Sequence, residues 1–511
     1  MKVFFIKAPR YLWPFHSERS GVWQPLGFAS MAAVLRREMP DLDLRIMDCP
    51  ALKMGWRSLE AALRSDVPDV VCIGEETASA PDGLRLARLA KKISERTVTI
   101  AGGVYFSYMI EDSLRHHPID IIVKGEGELT LLELLQELRR KEPDLSRVRG
   151  IAFRSSNGPA TPIVETPPRP LIEHLDDLPM PAYDLLPMHR YGFGARNHPD
   201  HAAIEHGRGC TAQCNFCILW KHMGRASNGS NKPCYRTKSA GKSFEEARTL
   251  IEKYGRKTLG WVDPTWNADP AWTEEFCDRM LGARVEAIAT AWMRADCVVR
   301  DERLGILRKQ VASGLRQAII GVERPEDGAL ASFDKWSNSA EVVREAFAIL
   351  RKNYPSVYTI ATFIYGLWEE TEESLRELVR FGCTCGADYA FYIPLTPNPG
   401  TAVWEEARRR EAIEVDDLRA YNFITPIMRT RRHSAAQLQQ MMHRQIVAAW
   451  PRDLGRAVWQ FFFDPDPRRR SVRRAMLGHG TRYSIVNILA SLRRRNGRPA
   501  CHAIVPDWYE R

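Results

Sequence analysis

Short apolar runs rich in Val and Ile alternate with amphipathic stretches of helix length along most of this chain, a pattern that points to parallel sheets covered by helices. The first set is Lys2–Lys7, Leu44–Met47, Val70–Gly74, Val98–Ala101 and Ile119–Val123, with helices expected at Gly27–Arg37, Ala80–Ile93 and Leu129–Lys141. A second set comprises Ala202–His206, Thr258–Val262, Ala287–Thr290, Gln317–Gly321, Tyr358–Tyr365 and Tyr389–Leu395. At 511 residues the chain exceeds one ordinary core and should divide into about three domains. We expect a doubly wound α/β domain over 1–140, a second α/β domain over 201–400 and a helical region over 401–511. Residues 141–200 join the first two. They hold a hairpin (Ile151–Arg154, Ile163–Thr166), then a run with Pro167, Pro168, Pro170, Pro179 and Pro181 that is expected to act as a semi-rigid spacer.

Cys210, Cys214 and Cys217 form a C-x3-C-x2-C triplet just after the strand Ala202–Glu205. Three thiolates on so short a loop can hold three irons of a 4Fe–4S cube, leaving the fourth iron open. The competing reading is zinc, with His222 or Cys234 as the fourth ligand. Structural zinc usually takes paired knuckles, and no second knuckle follows, so the cluster is preferred.

The triplet resembles the signature of the radical S-adenosylmethionine (SAM) superfamily, including Phe216 before the last cysteine. That resemblance implies a partial (β/α)6, TIM-like barrel over 201–400. It also implies an open iron that chelates SAM and an electron from an external donor that cleaves it to a 5′-deoxyadenosyl radical. Barrel chemistry sits at the carboxyl ends of strands. By resemblance, Glu323 would accept from the SAM ribose hydroxyls and Arg294 would bind its carboxylate. Asp263 is a third candidate SAM contact, although Trp261-Val262-Asp263-Pro264 departs from the Gly-Gly-Glu that the family often shows there.

Doubly wound sheets also bind ligands beyond their strand carboxyl ends. In the N-terminal third those positions hold Pro25-Leu26-Gly27, Asp48, Gly102-Gly103 and Gly125-Glu126-Gly127-Glu128. Glycines there permit close backbone approach or positive φ. The ordered set is similar to the cobalamin-binding domain found upstream of the cluster motif in one large class of radical SAM proteins. The resemblance implies cobalamin contacts from Gly27, Asp48, Gly102, Gly103, Gly125, Glu126 and Gly127. An Asp-x-His-x-x-Gly motif is absent, so no histidine ligand to cobalt is assigned; Trp23 and Tyr105 either cover the corrin or pack in the core. Tyr235-Arg236-Thr237-Lys238-Ser239 and Leu395-Thr396-Pro397 resemble relatives of the anaerobic magnesium-protoporphyrin monomethyl ester oxidative cyclase, over about residues 20 to 430.

These resemblances imply an enzyme that methylates an unactivated carbon of a small-molecule intermediate. Oxidative cyclisation or rearrangement without methyl transfer is the alternative, and RNA modification a further one. The net charge of +10 is a C-terminal feature, because ten arginines and no acids lie between Arg468 and Arg498. Helices are expected at Val403–Ala412, Ala435–Ala449 and Leu454–Phe462, forming a cap. An arginine-flanked apolar segment, Ser484–Leu492, also fits peripheral membrane contact or an acidic, partly apolar substrate; nucleic acid is the less favoured partner. Eleven cysteines with one tight cluster do not form a disulfide framework, and an iron–sulfur cube does not survive an oxidising compartment, so a cytoplasmic location is expected.

Overall fold

The computed structural model describes residues 1–11, 23–156, 161–192, 200–223, 232–335, 338–463, 485, 488–489, 491–493, 497–499, 505 and 507–511. The chain forms two compact units. One comprises Met1–Gly192, Ile218–Thr237 and Ala503–Arg511; the other comprises Phe193–Cys217 and Lys238–His502.

The first unit is built on a seven-stranded sheet in the order β2-β1-β3-β4-β5-β6-β7. The strands are β1 (Lys2–Lys7), β2 (Asp43–Asp48), β3 (Val70–Gly74), β4 (Val98–Gly102), β5 (Ile121–Val123), β6 (Ile151–Arg154) and β7 (Ile163–Glu165). The first five are parallel, and β6 and β7 add antiparallel. Val3, Phe5 and Ile6 are fully buried, as the continuous apolar runs of a sheet covered on both faces require. Helices α1 (Leu26–Glu38), α2 (Trp56–Ser65), α3 (Ala80–Ile93), α4 (Gly103–Tyr108) and α5 (Glu128–Leu138) follow the strands.

The hairpin expected in the connector is therefore part of this sheet. The proline-rich segment is no spacer either. Ile172, Leu175 and Leu178 pack with Val34 of α1, and Ala182 N donates to Ala29 O at 2.9 Å. Short 3-10 turns at Leu175–Asp177, Tyr183–Leu185 and Met188–Arg190 carry the segment over the helix, with apolar side chains spaced three apart turned onto it.

Residues 507–511 also belong to this unit, which no local pattern foretold. Helix α2 begins at Gly55 without a side-chain cap, and its orphan donors are taken by the tail. Trp56 N donates to Tyr509 O and Ser58 N to Arg511 O, each at 3.0 Å. A Cβ on Gly55 would lie 2.0 Å from Trp508 O, so only glycine admits this contact. The Tyr509 hydroxyl donates to buried Asp82 at 2.7 Å, and Arg85 forms a two-pronged pair with Glu510 while lying 4.2 Å above the Trp56 ring.

The second unit holds six parallel strands in chain order: β8 (His201–Ile204), β9 (Thr258–Trp261), β10 (Ile288–Met293), β11 (Leu315–Glu323), β12 (Tyr358–Tyr365) and β13 (Tyr389–Pro394). This is the strand order of the expected partial barrel. Helices between successive strands cover one face, and fully buried Ala291, Ala318 and Ala361 face them. In the C-terminal region, Ala402–Arg409 is helical as expected, but Ala435–Phe463 is one helix that continues through Pro451 rather than two. Most of the arginine-rich stretch lies outside the described residues. Among those described, no helix is long and apolar enough to cross a membrane.

Tyr509→Phe should destabilise the first unit by about 1–2 kcal/mol, because it strips a hydrogen bond from a buried carboxylate. Urea unfolding followed by tryptophan fluorescence would check this; an unchanged midpoint would show that the tail carries no stability.

Candidate functional site

In the second unit, β8 leads through Gly207–Gly209 into the loop bearing Cys210, Cys214 and Cys217. All three are half-buried thiols outside any disulfide. The loop is held by backbone clamps. The carboxylate of Asp263, just past β9, is buried and accepts from His206 N at 2.9 Å and Gly207 N at 2.5 Å. The His206 imidazole lies 2.9 Å from the same oxygen and stacks on Trp272 with centroids 3.8 Å apart. Asp263 thus fixes the turn that launches the cluster loop.

Arg294 follows β10 and reaches the loop itself. Its guanidinium donates to Thr211 Oγ1 at 2.9 Å and grips Asp296 through two nitrogens at 3.0 and 2.6 Å. On the other side, Asn215 donates through N to Phe333 O at 3.2 Å and through Nδ2 to Ser332 O at 2.6 Å. The Phe216 ring meets Phe333 edge-on at 5.0 Å.

The turn that carries Phe333 also delivers Lys335, a residue the sequence did not single out. Its buried ammonium donates to Glu323 at 2.6 Å and to Gly321 O at 3.0 Å. Glu323 sits at a register shift at the end of β11 with φ of 64°, an uncommon conformation for a non-glycine residue. Burial pushes the Cys214 thiol up to about 12, and Lys335 is the leading influence in the other direction. The donor set fits a cluster: three thiols on one clamped loop, with a cation that favours the thiolate.

In the first unit the strand carboxyl ends gather buried charge. Asp48 accepts from Ala51 N at 3.2 Å and from the Tyr191 hydroxyl at 2.9 Å, and Lys7 lies 3.4 Å away. Lys7 also donates to Trp23 O at 2.7 Å. Arg10 pairs with Glu75 at 2.6 Å, yet burial pushes the Glu75 carboxyl up to about 7.

The glycines divide into two kinds. A Cβ at Gly27 or Gly125 would meet nothing within 4 Å, so both line open space at the strand ends, where a large ligand can approach the backbone. Gly103 and Gly127 serve the chain's own packing, since a Cβ there would meet Glu75 O at 3.0 Å or Met31 Sδ at 2.6 Å. Gly102 is extended, with Val123 O 3.4 Å from such a Cβ. Glu126 is engaged elsewhere: it pairs with Arg236 at 3.0 Å and accepts from Ile172 N at 2.8 Å. Arg236 also donates to Met223 O at 2.6 Å, pinning both ends of the segment after the cysteines. Tyr105 is a core residue, whereas Trp23 is exposed. Gly27 and Gly125 therefore present no steric bar to a bulky cofactor.

A B12-binding domain model matches residues 15–135, and a radical SAM superfamily model matches residues 204–382. The chain carries a B12-binding domain and a radical SAM domain. Its cofactors are cobalamin, a 4Fe–4S cluster and SAM. An uncharacterized methyltransferase from Pyrococcus horikoshii is 27% identical over 84% of this chain and 88% of its own length. The anaerobic magnesium-protoporphyrin IX monomethyl ester cyclase of Rubrivivax gelatinosus is 28% identical over 92% and 80%. The hopanoid C-3 methylase of Methylococcus capsulatus is 27% identical over 80% and 73%. The solved structure of the cobalamin-dependent SAM radical enzyme OxsB, with aqua-cobalamin and SAM bound, shares the fold with a TM-score of 0.65 at 16% identity, over 95% of this chain and 72% of that one.

A carboxyl held above its unfolded value contributes stability that is complete below that value and lost as pH rises. For Glu75 this window runs from the ordinary 4.5 to about 7. Glu75→Gln should flatten the fall in urea midpoint across that window; an equal fall in both proteins would contradict it.

Proposed function

We propose that this radical SAM enzyme transfers a methyl group to an unactivated carbon of a small molecule. The observation that carries the reading is the joining, in one chain, of a B12-binding domain to a clamped loop with three thiols. Methyltransferase relatives along most of the chain support it. When bound, the cluster with SAM supplies hydrogen abstraction from carbon, and cobalamin supplies a transferable methyl group.

The chain's own residues do the positioning. Cys210, Cys214 and Cys217 hold the cluster. Arg294, Asp263 and the Phe333 turn fix their loop, so the thiols are arranged before metal arrives. Glu323 remains our candidate for the SAM hydroxyls, with Lys335 holding its carboxylate in place. Arg294 lies beside the loop with its fork occupied by Asp296 and Thr211, which suits it to positioning the loop; meeting a SAM carboxylate would require it to release one of them. Gly27 and Gly125 leave room for the corrin, while Asp48, Gly102, Gly103, Glu126 and Gly127 shape the loops around it. An external reductant, a small-molecule substrate and a cytoplasmic setting complete the proposal; oxygen-sensitive iron–sulfur chemistry supports the last.

The cyclase relative favours one second reading, oxidative ring closure without methyl transfer. The two separate cleanly. With substrate, reductant and SAM carrying a deuterated methyl group, methylation puts the label in the product and forms one S-adenosylhomocysteine for each 5′-deoxyadenosine. Product and 5′-deoxyadenosine without S-adenosylhomocysteine or label would replace methylation with the cyclase reading.

A further inference from the structure

Residues 507–511 do more than complete the start of α2, because the Tyr509 side chain reaches the segments that leave β1 and β3. Tyr509 is buried. Its ring meets that of Tyr11 edge-on with centroids 4.9 Å apart, and its hydroxyl donates to Asp82, in the first turn of α3, at 2.7 Å. Tyr11 follows β1, and Asp82 follows β3 through one short turn, Thr77–Ser79. One side chain from the far end of the sequence thus touches the exits of two parallel strands.

Glu75 joins those exits and carries the contact on to a third. Arg10, next to Tyr11, pairs with the Glu75 carboxylate at 2.6 Å. The Glu75 side chain also packs on Gly83, the neighbour of Asp82, where an added Cβ would lie 2.7 Å from Glu75 Cγ. Through its backbone Glu75 then clasps the end of β4: its N donates to Gly102 O at 3.3 Å, and its O accepts from Tyr105 N at 3.2 Å. Gly103 has φ of 87°, and a Cβ there would meet Glu75 O at 3.0 Å, so this approach belongs to glycine. Packed and hydrogen-bonded groups therefore run without a gap from Tyr509 to Gly103, all inside the first unit. The exits of β1, β3 and β4 lie at the strand carboxyl ends, where a doubly wound sheet takes its ligand.

We propose that residues 507–511 are a positioning segment for cobalamin: they set the loops after β1, β3 and β4, and the chain holds the cofactor tightly only while Tyr509 is in place. The segment is anchored well enough for that role. Its carbonyls take the Trp56 and Ser58 N–H groups, and Glu510 takes the Arg85 fork. Loops already fixed lose little freedom when a large ligand binds, whereas loosened loops must be ordered by the ligand and bind it more weakly. The proposal rests on the B12-binding domain and is independent of methyl transfer.

The experiment is a cobalamin titration without denaturant, under which a segment that only adds stability leaves affinity unchanged. Full-length protein and its Tyr509→Ala, Tyr509→Phe and Gly55→Ala variants are reconstituted anaerobically and titrated with hydroxocobalamin. Free cofactor is read by visible absorbance after ultrafiltration, and iron per chain is measured on the same samples. Gly55→Ala keeps every residue of the segment but puts a methyl group 2.0 Å from Trp508 O, at a backbone angle (φ of −84°) that alanine adopts freely. We expect Tyr509→Ala and Gly55→Ala each to raise the cobalamin Kd by roughly tenfold or more. Tyr509→Phe, which keeps the ring against Tyr11 and loses only the hydrogen bond, should raise it about threefold. Iron per chain and far-ultraviolet circular dichroism should not change. Should either larger change prevent folding, the milder Tyr509→Phe decides. Wild-type cobalamin affinity in the folded variants would overturn the proposal and leave the segment a purely stabilising role. Parallel loss of iron and cobalamin would overturn it too, since the cysteines lie in the other unit, outside this chain of contacts.

Discussion

A loop that must carry three thiols in one arrangement has to be held by something other than the metal it will bind. Here the holding group is a single buried carboxylate. Asp263 gathers two backbone N–H groups from His206 and Gly207 and lies against the His206 ring. Charge-assisted bonds of this kind are the strong ones, and in a buried setting their loss leaves several polar groups unmatched together. Arg294 and the Phe333 turn then grip the loop from two further strands. The cluster ligands are thus fixed by the order of the parallel strands, because Asp263 and Arg294 follow the carboxyl ends of two of them and the Phe333 turn belongs to the connection after a third.

The same topology governs the first unit, with a different result. There the strand ends deliver Lys7, Asp48 and Glu75, and open space lies beside Gly27 and Gly125. Each has a partner, Trp23 O for Lys7, Tyr191 for Asp48 and Arg10 for Glu75, yet for Lys7 and Glu75 burial still works against the charged form. Tyr191 comes from the end of the proline-rich segment, so that segment contributes to the polar wall as well as covering α1.

Much of this was legible in the residues. Strand positions followed from short apolar runs, many of them rich in Val and Ile, and the cluster ligands from a spacing whose chemistry is local. What could not be read was tertiary. Lys335 meets Glu323 only because a turn folds back over the end of β11. Glu126 stands in a glycine-rich string that resembles a cofactor loop, yet it pairs with Arg236, far along the chain. The docking of residues 507–511 on α2 has no periodic signature at all. The glycines show the limit most plainly: Gly125 and Gly127 belong to one motif, but one opens on space and the other on Met31.

The central claim is that one chain holds both metal cofactors at once. Metal analysis of a single anaerobically reconstituted sample, loaded with hydroxocobalamin and purified to constant composition, tests it directly. The account predicts about four irons and four sulfides with one cobalt per chain, and loss of the iron alone in Cys214→Ala. Stoichiometric zinc in place of iron, or cobalt that never exceeds a trace while iron is complete, would contradict it.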